Sequence, residues 1–279
     1  MKVKVLESKP TKMRFVLEET EPHIANTLRR TLLVDIPKMA IEDVEFHLGP
    51  IRGEDAREYE SVAPMFDEII AHRLGLIPLP TDLKTFVRRE ECKACNGEGC
   101  PSCSIIYSLN KKGPCIVTSG DLEPIGDAKL KPIDTNIPIV KLGEGQAMLV
   151  YATAVLGTGR DHAKWQATSG VGYKYYPIIE IDNRKMDSSK APVEVCPVNI
   201  LKLRDRKVVV EGEEKCTLCM ACVESFDPGS IKVEGDQSRI VFQFETDGSI
   251  TAGEVLAVAL DILEKRFSDL AAKAESAGA

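Results

Sequence analysis

The chain has 279 residues, 43% hydrophobic and 28% charged, with a formal net charge of −7. That length allows one large or two to three small domains around a real core. The acidic balance argues against direct nucleic-acid binding, and no apolar run approaches the ~20 residues of a membrane span. The opening MKVKVLE lacks an apolar core of signal-peptide length, so a cytoplasmic protein is expected. Its nine cysteines then read as metal ligands before disulfides.

Met1–Leu17 reads as two short strands: Val3 and Val5 alternate with lysines, then Met13, Phe15 and Leu17 with Arg14 and Val16. Thr20–Ile41, TEPHIANTLRRTLLVDIPKMAI, reads as a helix, a sharp stop and the start of a strand. Thr20 suits the N-cap, and Glu21 and Pro22 suit the first turn. Ile24, Leu28 and Leu32 recur at i, i+4 and i+8 beside Ala25. Pro37 ends the helix and biases Ile36 towards an extended conformation. The Arg29-Arg30 pair beside the apolar face has two readings. One is a solvated side of a core helix; the other is a helix that buries its apolar face in one partner and holds a second with the arginines.

Val44, Phe46 and Leu48 give another alternating strand, closed by Gly49-Pro50, and Gly49–Glu60 reads as a loop. Met65–Leu74 is helical, with Phe66, Ile69, Ile70 and Leu74 on one face. Gly75 is placed as its C-terminal cap, and His72 as a capping or packed histidine in its last turn. Short β runs fill Leu109–Tyr151. Gly157-Thr158-Gly159 lacks the lysine of a phosphate loop. Pro177–Ile181 is a strand, as is the run holding Ile240, Phe242 and Phe244. The last helix starts at a capping box of Thr251 and Glu254, spanned by an Ile250–Val255 staple. Leu256, Leu260, Leu263, Phe267 and Leu270 then form a heptad-like stripe.

The cysteines carry the strongest chemical signal. Bacterial-type ferredoxins use C-x2-C-x2-C-x3-C-P twice, the fourth cysteine of each run binding the other cluster. Here Cys216, Cys219 and Cys222 have that spacing, with Phe226 in the fourth position. Cys196-Pro197 matches the fourth position of the other run, whose first three fall on Met186, Ser189 and Pro192. All ligands of one cluster are therefore absent, and all four of the other are present: Cys196, Cys216, Cys219 and Cys222. These suit one [4Fe–4S] cluster, seen as [3Fe–4S] after air exposure, with zinc the alternative. The flanking segments fit a small ferredoxin-like domain, with a strand at Lys207–Glu211 and a short helix near Cys219. A separate set, Cys92, Cys95, Cys100 and Cys103, reads C-x2-C-x4-C-x2-C around Gly97 and Gly99. It favours one structural zinc in a compact knuckle, with disulfides or free thiols as alternatives and Cys115 as a spare ligand.

The runs ANTLRRTLL, IPKMAIEDVEF, DEIIAHRLGLIPL, GRDHAKWQ and FETDGSITAGEVLAVALDIL resemble the α-type assembly subunits of multisubunit RNA polymerases, in particular the archaeal members of that family. The resemblance implies an α+β fold in three parts. These are a discontinuous dimerisation domain (1–48 and 231–279), a β-rich insertion domain (49–181) and a ferredoxin-like iron–sulfur domain (182–230). It also implies a non-catalytic component of a nucleotidyltransferase complex. That component pairs with the small subunit L and recruits the second-largest and largest subunits, with subunits N and P nearby. Carried over as interface residues are Asn26, Leu28, Arg29, Arg30, Leu32, Leu256, Leu260, Leu263 and Phe267. GRDHAKWQ is placed facing a large subunit. No catalytic residue is identified. The cysteine motif alone admits another function, an iron–sulfur electron-transfer subunit of an oxidoreductase.

Overall fold

The computed structural model describes residues 1–52, 57–185 and 194–277. Strands β1 (Lys2–Lys9) and β2 (Lys12–Glu18) precede helix α1 (Pro22–Val34) and strand β3 (Lys38–Phe46). Two short strands, β4 (Ile51–Arg52) and β5 (Glu58–Tyr59), lead to helix α2 (Asp67–Gly75). There follow β6 (Ser104–Lys112), β7 (Cys115–Thr118), β8 (Glu123–Pro124), β9 (Pro138–Leu142), β10 (Ala147–Gly157) and β11 (Thr168–Ile181). Then come β12 (Leu201–Arg204), β13 (Lys207–Val210), α3 (Ala221–Ser225), β14 (Ile231–Thr246) and α4 (Ala252–Ala277). The result is a mixed α/β fold with several small sheets. It packs as two compact units, one of residues 1–29 and 170–244, the other of 30–169 and 245–279.

In the first unit the sheet order is β1-β2-β14-β11. β1 and β2 form an antiparallel hairpin with Val5 opposite Phe15. Phe15 stacks on Phe242 with ring centroids 5.3 Å apart, and Tyr173 lies 6.4 Å from the same ring. These aromatic contacts fix which faces of β2, β11 and β14 pack together. β12 and β13 pair through a two-residue turn. Asp205 and Arg206 both adopt positive φ there, 49° and 59°, the backbone of a type I′ hairpin. Asn183 brackets the hairpin, its Oδ1 accepting the Val208 N–H at 2.7 Å.

In the second unit the antiparallel order is β3-β10-β6-β8. Met39, Ile41, Ile70, Leu74, Tyr107, Leu109 and Val150 form its core. The two strands expected either side of Ile41 are one continuous strand, β3, because Met39, Ala40 and Ile41 are all buried. Leu48, expected at the end of that strand, is 79% exposed. Gly157 and Gly159 serve close packing. A Cβ at Gly157 would sit 2.4 Å from the Trp165 ring, and one at Gly159 2.7 Å from the Leu33 carbonyl.

The helices depart from the sequence reading at their ends. α1 starts at Pro22, so Thr20 lies outside the cap position, and its buried hydroxyl has no partner. The buried face of α1 is Ala25, Leu28, Thr31 and Leu32, whereas Ile24 is exposed. In α2, Ile70 and Leu74 are buried while Phe66 and Ile69 are exposed. Gly75 is the last helical residue of α2 and not a left-handed cap. α4 begins as expected: Glu254 N–H donates to Thr251 Oγ1, and Thr251 N–H and hydroxyl donate to Glu254 Oε2.

One ion cluster, which the sequence did not reveal, closes the end of α1. Asp35 follows the last residue of the helix, and its side chain is 4% exposed. A carboxylate there opposes the helix dipole and loses hydration. Arg160 Nε donates to one of its oxygens at 2.7 Å and Arg266 Nη1 to the other at 2.6 Å. Burial pushes the Asp35 pKa up, but the hydrogen bonds from Arg266 and Arg160 outweigh it, and the net shift is downward. Asp35 therefore stabilises the fold above the ordinary carboxylate range, and that contribution is lost as pH falls through its depressed folded pKa. Asp35→Asn is expected to lower unfolding free energy at pH 7 by about 2 kcal/mol, less than a fully buried pair because both arginines are half-solvated. Urea titrations at pH 7 and in acid test this: the gap between the two proteins should narrow progressively as pH falls below the ordinary carboxylate range.

Candidate metal centres and docking surfaces

The knuckle lies between a short turn at Arg89–Glu91 and strand β6. Asn96, Gly97 and Gly99 all take positive φ, which curls the segment back on itself. The Asn96 N–H then donates to the Cys92 carbonyl, and the Gly99 N–H points at Cys95 Sγ, 3.3 Å away. The Cys100 N–H reaches Cys103 Sγ at the same distance. The four sulfurs all lie within 4.8 Å of one another. Cys92–Cys100 and Cys95–Cys103 are 3.6 Å apart, and Cys100–Cys103 3.8 Å. A tetrahedron with metal–sulfur bonds of about 2.3 Å has edges of about 3.8 Å. The geometry therefore fits one tetrahedral ion in four thiolates. The four cysteines are free of disulfides.

Electrostatics divides these thiols. Backbone N–H groups of Gly99 and then Gly97 hold the Cys95 thiol down to about 6, so it is largely ionised at neutral pH. Burial pushes Cys103 up to about 12. A bound cation would supply the charge that Cys103 needs to ionise. Cys115, expected as a spare ligand, sits on β7 opposite Leu142 and packs against the core, outside the four-sulfur group.

Cys196, Cys216, Cys219 and Cys222 line one pocket, with Ile179, Ile200, Leu201 and Val233 among its apolar walls. Leu218 and Met220 take positive φ, turning the backbone between successive cysteines, and Leu218 N–H donates to Cys216 Sγ at 3.4 Å. Burial raises the Cys216 and Cys222 thiols, and the neighbouring sulfurs add to the rise. Among the described residues only the Cys92–Cys103 set falls within 4.8 Å, so this second set is more widely spread. That spread suits a multi-iron cluster, in which each thiolate holds a different iron. Phe226, in the fourth motif position, packs against the hydrophobic cluster around these cysteines. Met186, Ser189 and Pro192 lie outside the described residues.

The interface candidates separate by burial. Leu28 and Leu32 are buried within the chain and cannot form a docking face while the helix is packed. On α1, Asn26 Oδ1 accepts from Arg29 Nη2 at 2.9 Å and from Nε at 3.2 Å, which orients the guanidinium, and Arg30 is exposed. On α4, Ala252, Val255 and Ala259 form the buried face. The stripe read from sequence lies beside it: Leu256 and Leu263 are half-buried, and Leu260, Phe267 and Leu270 are 51%, 59% and 63% exposed.

In the GRDHAKWQ run, which the resemblance places facing a large subunit, Arg160, Asp161, His162 and Ala163 are exposed while Trp165 is buried. Arg160 holds Asp35, Asp161 accepts from Thr158 and from Arg88, and Trp165 Nε1 donates to the Val155 carbonyl. Lys164 pairs with Glu42 and lies over the Trp165 ring. Lys38, buried on β3, pairs with Asp247. Sequence reasoning missed Lys38, Asp35 and Arg266. The one local signal was a charged residue on each side of the Ile36-Pro37 helix stop.

The Cys92–Cys103 site should bind one equivalent of zinc, more tightly as pH rises because bound thiols must lose protons. Cys103→Ser is expected to weaken binding by roughly tenfold or more, and Cys115→Ser to leave it unchanged. Competition with a chromophoric chelator measures both.

The RNA polymerase Rpb3/RpoA insert domain family matches residues 51–182. Curated relatives match nearly end to end. DNA-directed RNA polymerase subunit Rpo3 of Picrophilus torridus is 45% identical, covering 95% of this chain and 97% of that protein. The Thermoplasma volcanium protein of the same description is 44% identical, covering 97% and 98%. That of Methanosphaera stadtmanae is 40% identical, covering 97% of each. At this identity over nearly its whole length, the chain belongs to the DNA-directed RNA polymerase subunit Rpo3 family.

Proposed function

We propose that the chain is a non-catalytic assembly platform of an archaeal, cytoplasmic DNA-directed RNA polymerase, one component of a nucleotidyltransferase complex. The observation that carries this reading is the apolar stripe of α4. Leu260, Phe267 and Leu270 stand in water along one side of a 26-residue helix, beside the face the chain itself buries. Covering each would contribute about 1.5–3 kcal/mol, enough in sum to hold a partner helix. The partner in this reading is subunit L. Arg29, held by Asn26, and exposed Arg30 meet the second-largest subunit, followed by the largest subunit and by N and P. Among the described residues no helix is long and apolar enough to cross a membrane.

The chain divides in this proposal into a dimerisation domain (1–48 and 231–279), an insertion domain (49–181) and a ferredoxin-like domain (182–230). The wide, apolar-walled set Cys196, Cys216, Cys219 and Cys222 holds one [4Fe–4S] cluster, which loses one iron to [3Fe–4S] in air. The compact set Cys92, Cys95, Cys100 and Cys103 holds zinc, which braces the knuckle at the start of β6. An electron-transfer role, the other function open to the cysteine motif, is not favoured. The relatives span the chain, and the cluster ligands occupy one segment of it.

Anaerobic affinity purification from cells of the source tests the platform. The wild-type chain should bring down a small subunit in equal amount together with the large polymerase subunits. Leu260→Glu combined with Phe267→Glu should lose the small subunit while leaving the free chain's stability within about 0.5 kcal/mol per exposed site. Recovery of flavin or dehydrogenase subunits instead would overturn the proposal. The cluster assignment has its own check: Cys216→Ser should remove the iron and its broad visible absorption and keep the zinc.

A further inference from the structure

We propose that a cationic concavity in the first unit, open between β2, β11, β14 and the 215–217 loop, binds an oxyanion of the phosphate class. It has a volume of about 370 Å³, and its lining includes Arg14, Tyr173, Lys174, Lys215, Thr217 and Gln243. Three cations, a hydroxyl and a carboxamide thus converge on one hollow in a chain whose net charge is −7. These are the donors that a tetrahedral oxyanion recruits.

The strands place them. Arg14 comes from β2, Tyr173 and Lys174 from β11, and Gln243 from β14, neighbours in one sheet. Lys215 and Thr217 come from the loop that carries Cys216, which both inner cations tie down. Arg14 Nη2 donates to the Glu214 carbonyl at 2.7 Å, and Lys174 Nζ donates to the Cys216 carbonyl. The loop position is therefore fixed by neutral acceptors, and neither cation forms an ion pair among the described residues. Arg14 Nε is buried without a hydrogen-bond partner, and Lys174 feels the repulsion of the Arg14 charge. Like charges held together at a half-buried site are costly unless an anion joins them.

The carboxylates around the hollow do not fill that role. Glu7, opposite Arg14 on β1, ion-pairs with Lys9 and acts on Arg14 only at longer range. Glu214 acts on Lys174 only at longer range. Among the described residues no carboxylate forms an ion pair with Arg14, Lys174 or Lys215. Tyr173 and buried Val241 supply apolar wall, which strengthens charge–charge attraction inside.

The test uses the full chain, purified anaerobically with its partner subunits and titrated with inorganic phosphate at constant ionic strength set by chloride. Saturable binding is expected by calorimetry. Lys215→Met combined with Gln243→Leu should weaken it at least tenfold. These two rim side chains hold no hydrogen bond in the chain among the described residues, so the visible spectrum and melting temperature should not move. Arg14→Met should abolish binding, with the same spectrum as a check on the loop. A parallel titration with AMP separates the sources: tighter binding than phosphate, with the same sensitivity to the variants, assigns the pocket to a phosphate monoester. Heat indistinguishable from that of added chloride, or unchanged affinity in the rim variant, would overturn the proposal.

Discussion

The carboxylate of Asp35 is the constraint on which the second unit most depends. It sits at the wrong end of a helix for a negative charge and is nearly withdrawn from water, so it is tolerable only with strong donors on both oxygens. Those donors come from opposite parts of the sequence: Arg160 from the loop before β11, and Arg266 from α4. One side chain thereby couples the end of α1, the 158–161 turn and the C-terminal helix. Lys38 repeats the device three residues on, where it reaches Asp247 just before α4. Ion pairs of this kind contribute little net stability but penalise every arrangement that leaves one charge alone. They therefore specify which helix goes where.

The two cysteine sets differ in backbone conformation and in the spacing of their sulfurs. In the knuckle, glycines with positive φ bring N–H groups to the sulfurs and draw four thiolates into a tetrahedron sized for one ion. In the second set, Leu218 and Met220 take positive φ between successive cysteines, and the four cysteines line an apolar-walled pocket. Phe226 occupies the fourth position of the cysteine motif and packs against the hydrophobic cluster around these cysteines.

α4 carries two adjoining stripes with different tasks. The small residues Ala252 and Ala259, with Val255, form the face the chain covers itself, and the larger Leu260, Phe267 and Leu270 remain outside. A heptad pattern in sequence marks a surface that wants covering, and it does not say by what. Burial distinguishes the two here: the residues with the clearest periodicity are the ones the chain leaves to solvent.

Features whose physics is local were legible in the order of residues alone. The helix start at Thr251 and Glu254 is a matter of two side chains and two N–H groups three residues apart, and it appears as read. The cysteine spacings limited which thiolates could share an ion, because a separation of two residues leaves little choice of geometry. The alternation in β2 and β14 foretold the buried Phe15, Phe242 and Phe244. Tertiary packing alone decided that Ile24 faces water while Thr31 does not. It also decided that Trp165 turns inward while Arg160 to Ala163 stay exposed, that Cys115 stays out of the knuckle, and that Asp35 meets Arg160 and Arg266. Each of these depends on a partner distant in the chain or on which side of an element the core happens to lie. No local propensity encodes that choice.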